Sequence, residues 1–239
     1  MLKGLSIVVP AHNEEENIEN AIRRIENEVD IDHELVIVDD HSTDKTAEII
    51  KALNKEFPRI KYVSNSLPAG FANAIITGFK SFSYDTVVPV MGDLCDDIRT
   101  IKLMLEKINQ GYDIVCGCRY ASGGKRLGGS KFKGALSRLG GWTLNLILGI
   151  PTHDIANAFK MYRRKVIESI FIESTGFEIS MEIPLKGYYA GFKITEVPTT
   201  WRERSKGKSN FKVFKLLPSY LRLYLWAIIT RLKKCRSCQ

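Results

Sequence analysis

Between Leu5 and Cys118 the chain alternates two hydrophobic periods, and this alternation restricts it to one class of fold. Short, nearly continuous apolar runs rich in β-branched residues stand at 5–9, 35–38, 60–63, 86–90 and 113–117. Between them, 14–28, 44–54, 71–82 and 98–109 carry apolar residues at helical spacing, as in Ile18, Ala21, Ile22 and Ile25. A strand with no alternating polar face is buried on both sides, and a strand–helix repeat supplies the helices that cover it. The expectation is an α/β domain with a mostly parallel sheet flanked by helices. Ligands of such sheets bind beyond the carboxyl ends of the strands. The polar residues after the first, second and fourth runs are therefore the ones to read for chemistry.

Beyond this repeat the texture changes. Residues 119–150 are rich in glycine and basic residues and then apolar from Leu139 to Ile150, which predicts a loop followed by an amphipathic helix. A short strand near 157–162, a helix near 178–190, a strand at 193–197 and a polar loop at 199–210 follow. From Phe211 the pattern is helical. The expected division is a domain over 1–210 and a basic amphipathic extension over 211–239. With 239 residues, 44% hydrophobic and 26% charged, the chain has the composition of a globular protein. No run of 18 apolar residues predicts a membrane span. The opening residues lack a secretory pattern, and five irregularly spaced cysteines fit a reducing compartment.

The net charge of +8 is unevenly placed. Residues 1–113 carry −8, 114–153 carry +6, 154–198 are neutral and 199–239 carry +10. Two basic blocks after an acidic half imply anionic partners: a membrane, a phosphorylated substrate or nucleic acid. Nucleic acid is the poorest fit, because the basic blocks lack the interleaved aromatic platform of single-strand binders and the acidic half repels a backbone.

Three strand ends carry candidate chemistry. The first reads Pro10-Ala11-His12-Asn13-Glu14-Glu15 and the second Val38-Asp39-Asp40-His41-Ser42-Thr43-Asp44. Each alone is explained by helix capping through Asn13 and Ser42 or Thr43. At adjacent strand ends they form a pocket whose carboxylates accept hydrogen bonds from a nucleobase and ribose. The fourth run ends Met91-Gly92-Asp93-Leu94-Cys95-Asp96-Asp97. Its hard oxygens suit Mg²⁺ or Mn²⁺, with Asp93 and Asp96 as ligands and Asp96 or Asp97 capping the next helix. His153-Asp154 is either a catalytic pair or a turn. No GxGxxG is present. Gly207-Lys208-Ser209 lacks the first glycine and the preceding strand of a P-loop. Cys116 and Cys118 read as packing, and Cys235 and Cys238 as an exposed tail.

These motifs, in order, resemble family-2 glycosyltransferases of the GT-A fold, most closely the dolichol-phosphate mannose synthase and polyprenyl-phosphate glycosyltransferase branch. The resemblance runs from Leu5 to about residue 215. It includes the 10–15 and 38–44 segments, Gly70-x-x-x-Ala74-x-x-x-Gly78, the acidic turn at 93–97, Cys118-Arg119-Tyr120 and Ser137-Arg138. It continues with Asp154-x-x-x-x-Phe159-Lys160-x-Tyr162-Arg163, Glu196-Val197-Pro198 and Trp201-Arg-Glu-Arg204-x-x-Gly207-x-Ser209. The family implies a Rossmann-like sheet and nucleotide contacts at Pro10, Ala11, Asn13, Glu14, Asp39, Asp40 and Gly70. Asp93 matches the second acid of the DxD motif, which holds the metal and donor diphosphate. Arg119, Ser137, Arg138, Arg204 and Ser209 match positions for the acceptor phosphate or the diphosphate, with Asp93, Arg119 and Arg204 closest to the reaction. Met91 replaces the usual first acid of DxD and Cys95 a frequent Gln. Ala69 stands where a basic residue is common, and Asn210 replaces a frequent Lys.

The resemblance implies inverting transfer of a hexose, mannose or glucose, from a nucleotide diphosphate sugar such as GDP-mannose or UDP-glucose to a polyprenyl or dolichyl phosphate. The acceptor phosphate is already a nucleophile at neutral pH, since its second pKa is about 6. A family-2 transferase acting on a sugar hydroxyl needs a base, for which Asp154 and Asp96 are the candidates. An inactive relative that binds membrane is the reading that Met91 motivates. In the tail, polar residues recur at 212, 215, 219 and 222, with Lys233 continuing the row, as a narrow basic stripe beside a broad apolar face. Such a helix lies in the headgroup plane, which places the protein peripherally, as a monotopic protein, on the cytoplasmic face of an anionic membrane. Packing of the tail on the domain or in a homo-oligomer is the other arrangement.

Overall fold

The computed structural model of the chain describes residues 4–93, 95–204 and 213–237. Five strands and four helices alternate first: β1 (Leu5–Ala11), α1 (Ile18–Glu28), β2 (His33–Asp39), α2 (Thr46–Glu56), β3 (Ile60–Ser64), α3 (Phe71–Ser81), β4 (Thr86–Pro89), α4 (Thr100–Asn109) and β5 (Ile114–Cys118). There follow β6 (Lys125–Leu127), α5 (Lys131–Leu148), β7 (Lys160–Arg163), α6 (Arg164–Ser169), α7 (Ile179–Tyr189), β8 (Ile194–Pro198), β9 (Thr200–Arg202) and α8 (Val213–Ser237). The main sheet has the order β3-β2-β1-β4-β7-β5-β8, and all its pairs are parallel except those of β7 with β4 and β5. The small sheet pairs β6 with β9 in parallel.

Period-2 alternation sends each strand into two cores. Leu5, Ile7 and Val9 of β1 and Leu35 and Ile37 of β2 meet α1, α2 and α4 on one face. Val8, Val36 and Val38 point to the other face, which is shared with α3, α5, α7 and α8. The chain runs outward from β1 through β2 to β3 and then crosses back to β4 on the other side of β1. The carboxyl ends of β1 and β4 therefore flank the point where strand order reverses, where such sheets leave a crevice.

Helix α8 divides its apolar residues between two faces. Leu223 and Ala227 are buried in the core. Tyr224 donates to Thr143 Oγ1 of α5 at 2.8 Å, and Trp226 meets Tyr189 of α7 edge-on. Leu225, Ile229 and Leu232 point outward and are each about half exposed. Over its inner face, the extension expected from residue 211 packs as a helix of the domain. Helix α5 likewise starts at Lys131, inside the expected loop, and leaves Phe132, Leu139, Trp142 and Leu146 exposed. Among the described residues no helix is long and apolar enough to cross a membrane.

Candidate active site

The loops after β1 and β2 are zipped together by side-chain-to-backbone bonds. Asn13, at φ 53°, places its Oδ1 to accept from Thr43 N at 2.8 Å, while Ser42 Oγ accepts from Asn13 N at 3.1 Å. Thr46 Oγ1 accepts from Glu14 N, and Asp44 accepts from Glu15 N. Asn13, Ser42 and Thr43 were expected as caps of helices at 14 and 44. Those helices start later, at Ile18 and Thr46, and none of the three residues caps them; Asp44 Oδ1 accepts from Thr46 N instead. The polar residues join two loops instead.

Beneath this junction Asp39 accepts from Ser42 N and from the Tyr62 hydroxyl. Asp40 is buried, accepting from Asn65 Nδ2 at 2.7 Å and from Gly70 N at 2.8 Å. Asp40 thereby ties the start of α3 to the ends of β1 and β2. Carboxylate oxygens accept two bonds each, so capacity for a ligand N–H or O–H remains.

After β4 the acidic turn is stitched to β9. Arg202 N donates to Cys95 O at 2.7 Å, and Asp97 N donates to Thr200 O at 3.0 Å. Asp97 pairs with Arg99 and accepts from Thr100 N through its carbonyl, so the start of α4 belongs to Asp97. Asp96 is left for another purpose. It is 5% exposed, and its Oδ1 has no hydrogen-bond partner. Burial pushes its carboxyl up to about 7; the Arg119 charge opposes this and the Asp93 and Asp154 charges add to it. Leu94 lies outside the described residues.

Two arginines enter the same cleft, each held by a carboxylate. Arg119, at the end of β5, forks onto the fully buried Asp154, with Nε and Nη2 at 2.7 Å and its backbone N at 3.0 Å. Burial works against the Arg119 charge, and Asp154 more than restores it, leaving the guanidinium pKa above its usual value. Nη2 of Arg119 also donates to Ser137 Oγ of α5 at 3.2 Å. The close approach of α5 depends on Gly141, where a Cβ would collide with the His153 carbonyl. Arg204 reaches across to Glu14, with Nη2 at 2.9 and 3.0 Å from its two carboxylate oxygens. His153 pairs with Glu196 rather than Asp154, so the two do not act as a pair. Lys160 is wholly buried, and its ammonium donates to the carbonyls of Ile155, Asn157 and Ser180, pinning the segment that carries Asp154.

Glu14, Asp93, Asp96, Arg119 and Arg204 open into one cavity of about 690 Å³, whose lining does not include Ala11, Asn13, Asp39, Asp40 or Gly70. Its wall carries Pro10, Glu14, Asp93 and Asp96, the cations Arg119, Arg126, Lys133 and Arg204 with Ser137, and the apolar Leu136, Leu139, Leu217 and Leu221. The structure thus brings Asp93, Asp96, Arg119, Ser137 and Arg204 to one cleft. Arg138 does not line it and lies exposed on α5. One residue is a 100° step around a helix, and Ser137 holds the inward face. Ser209 lies outside the described residues. Arg126, Lys133 and the Asp154 clamp are additions that the sequence did not single out. Lys133 stands four residues before Ser137, so a helical reading of the 131–138 stretch would have put both on one face.

The raised carboxyl of Asp96 has a consequence for stability. An acid whose folded pKa lies above its unfolded value binds the extra proton only when folded. Stability is therefore highest below about pH 4 for this group and falls as pH rises to about 7. In metal-free protein, Asp96→Asn should remove this decline and make the variant more stable than wild type at pH 8. Equal denaturation midpoints at pH 8 would show that burial of Asp96 costs nothing.

Residues 6–171 match the sequence model described as Glycosyl transferase family 2. A dolichol-phosphate mannosyltransferase of Pyrococcus furiosus is 34% identical over 93% of this chain, which spans 64% of that relative's length. A polyprenol monophosphomannose synthase of Mycolicibacterium smegmatis is 26% identical over 97% of this chain and 89% of the relative. Among solved structures, glucosyl-3-phosphoglycerate synthase from Mycobacterium tuberculosis in complex with phosphoglyceric acid superposes with a TM-score of 0.73 at 19% identity, covering 95% of this chain and 80% of that one. A complex of the same enzyme with Mn²⁺, UDP and glucosyl-3-phosphoglycerate gives 0.68 at 20% identity, covering 96% and 80%. The GT-A fold expected from the sequence is the fold these structures share.

Proposed function

Because the chain belongs to glycosyl transferase family 2, we propose that it transfers a hexose, mannose by the names of its relatives, from a nucleotide diphosphate sugar to a polyprenyl phosphate. The observation that carries this reading is that carboxylates, cations and apolar side chains of α5 and α8 line one cleft. A nucleotide sugar with its diphosphate suits the first, an acceptor phosphate the second and an isoprenoid chain the third.

In this reading Pro10, Ala11, Asn13, Glu14 and Gly70 border the nucleotide, and Asp39 and Asp40 accept from its base or ribose. A divalent ion such as Mg²⁺ or Mn²⁺ fits Asp93 and Asp96, because the orphaned Oδ1 of Asp96 is a hard oxygen in need of a partner. Among the described residues no group of three or more acidic, His or Cys side chains is placed to hold a metal ion by itself. Two carboxylates are what Mg²⁺ uses where substrate phosphates complete its shell. When bound, the ion neutralises the diphosphate as it departs. Arg119, Ser137, Lys133 and Arg204 would grip the acceptor phosphate, with Ser209 and Arg138 as weaker candidates. Asp154 keeps the Arg119 fork in a fixed plane, and such positioning accounts for much of the rate in bimolecular transfer. The phosphate oxygen attacks the anomeric carbon opposite the leaving diphosphate, so the configuration inverts. No general base is required.

A transferase acting on a hydroxyl is favoured by one observation, the near-neutral carboxyl of Asp96 in the cleft. Asp154, the other base considered from sequence, is consumed by Arg119. A panel of donors assayed with divalent metal against polyprenyl phosphate and free polyprenol separates the readings. Transfer to the phosphate alone is expected. Transfer to the alcohol would favour the hydroxyl reading, and nucleotide binding without any turnover would favour an inactive relative.

The exposed apolar rows of α5 and α8, beside Arg222, Arg231 and Lys234, support a peripheral position on an anionic membrane; the cytoplasmic face is the side proposed. Burying one leucine-sized side chain is worth about 1.5–3 kcal/mol, and each cation near the surface adds roughly 1 kcal/mol. Leu225→Glu with Ile229→Glu should lower partitioning onto anionic vesicles by at least about tenfold, with an unchanged far-ultraviolet spectrum. Undiminished co-sedimentation would rule out α8 as the contact. Homo-oligomer formation through the same rows is the other use of these residues.

A further inference from the structure

Among the described residues that line the cleft, Arg126 differs from Arg119 and Arg204 in its partners. Arg119 is clamped by Asp154 and Arg204 by Glu14, whereas no hydrogen bond or ion pair engages Arg126. Its guanidinium instead lies over the Trp201 ring, 5.1 Å from the centroid. The stacking is a cross-strand pair, because Arg126 of β6 and Trp201 of β9 are register partners. Two glycines complete the cradle. A Cβ at Gly129 would sit 2.5 Å from Nη2, and one at Gly134 2.9 Å from Nη1. The two glycines leave the space that the guanidinium fills, and the indole restricts its rotamer. Stacking on an aromatic face uses the plane of the guanidinium and leaves its edge N–H groups for an anion. The side chain is half-buried, beside the α5 turn that carries Lys133 and Ser137.

We infer that Arg126 binds the phosphate of the acceptor, held ready by Trp201, Gly129 and Gly134; this rests on the polyprenyl-phosphate reading above. The donor diphosphate and an anionic lipid headgroup share the same chemistry. The acceptor is favoured because Arg126 flanks α5, whose Ser137 accepts from Arg119 Nη2 and whose Leu136 and Leu139 line the same cleft.

The test is calorimetric binding of farnesyl phosphate and of farnesol to the full chain, alongside Mn²⁺ with GDP or UDP and anionic phosphatidylglycerol vesicles. Wild type should bind the phosphate more tightly than the alcohol. Arg126→Gln should weaken farnesyl phosphate binding roughly ten- to a hundredfold, with farnesol, nucleotide and vesicle binding unchanged. Gly134→Ala should act in the same direction without loss of helix stability, since alanine is the better helix former and only the flexible end of Arg126 must move. Full farnesyl phosphate affinity in Arg126→Gln overturns the inference while leaving the acceptor reading intact. So does a loss confined to nucleotide, which assigns Arg126 to the diphosphate, or a loss confined to vesicles, which assigns it to the membrane. A wild type that prefers neither farnesyl phosphate nor farnesol overturns the acceptor reading itself.

Discussion

Asp93→Ala should lower turnover about a thousandfold while leaving the fold intact. The magnitude follows from the task of the group. A divalent ion on a departing diphosphate stabilises the developing charge by several kcal/mol, and about 4 kcal/mol corresponds to three orders of magnitude in rate. The fold should survive because Asp93 contributes little to it. Its Oδ1 accepts from Cys95 N at 3.1 Å, a bond within the turn itself, and it lies outside both cores. The effect should exceed that in an ordinary two-acid motif, because Met91 offers no second carboxylate and only Asp96 stands near. Thermal unfolding and Mn²⁺ affinity measured with nucleotide check the two halves separately. A variant that keeps both metal affinity and turnover would remove Asp93 from the site. One that loses metal but not turnover would remove the metal from the reaction.

Asp154→Ala should be the most destabilising single change in the cleft, at about 3–5 kcal/mol. The side chain is fully buried and accepts three N–H bonds from Arg119. Its loss leaves a guanidinium that is 13% exposed without its counter-charge. Breaking one half of a buried pair is costly, whereas replacing both halves with apolar residues often is not. Arg119→Met with Asp154→Leu should therefore recover most of the stability and none of the activity. This pair of outcomes separates the stabilising role from the functional one. If the double variant is as unstable as the single, the pair contributes more than charge compensation. If the double variant is active, Arg119 does not hold the acceptor.

The first five strands and four helices were legible because burial on two faces leaves a run of Val, Ile and Leu that only a covered sheet accommodates. Elements set by partners were not. β6 and β9 are three-residue strands, Lys125–Leu127 and Thr200–Arg202, whose polar residues follow no period and which exist because they pair with each other. Helix α5 begins at Lys131, eight residues before its apolar stretch, because Gly134, Ser137 and Gly141 form its inward face; small residues there read as loop. The same gap concealed Lys133 and drew attention to Arg138. β7 was expected as a strand, but its antiparallel direction depends on neighbours far along the chain.

By itself the sequence determined the α/β architecture, the acids at the ends of β1, β2 and β4, and the two cationic blocks, since period, charge and strand-end position are local properties of the chain. The tertiary structure decided how those charges are used. Of the cations in the first block, it buried Arg119 against Asp154, laid Arg126 on Trp201 and left Arg138 in solvent. It divided α8 into an inner face in the core and an outer apolar row. It left Asp96 with an orphaned oxygen in the cleft. Each of these follows from which surfaces meet across long separations in sequence. The energy of a charge or an apolar side chain depends on the medium and partners that folding places around it.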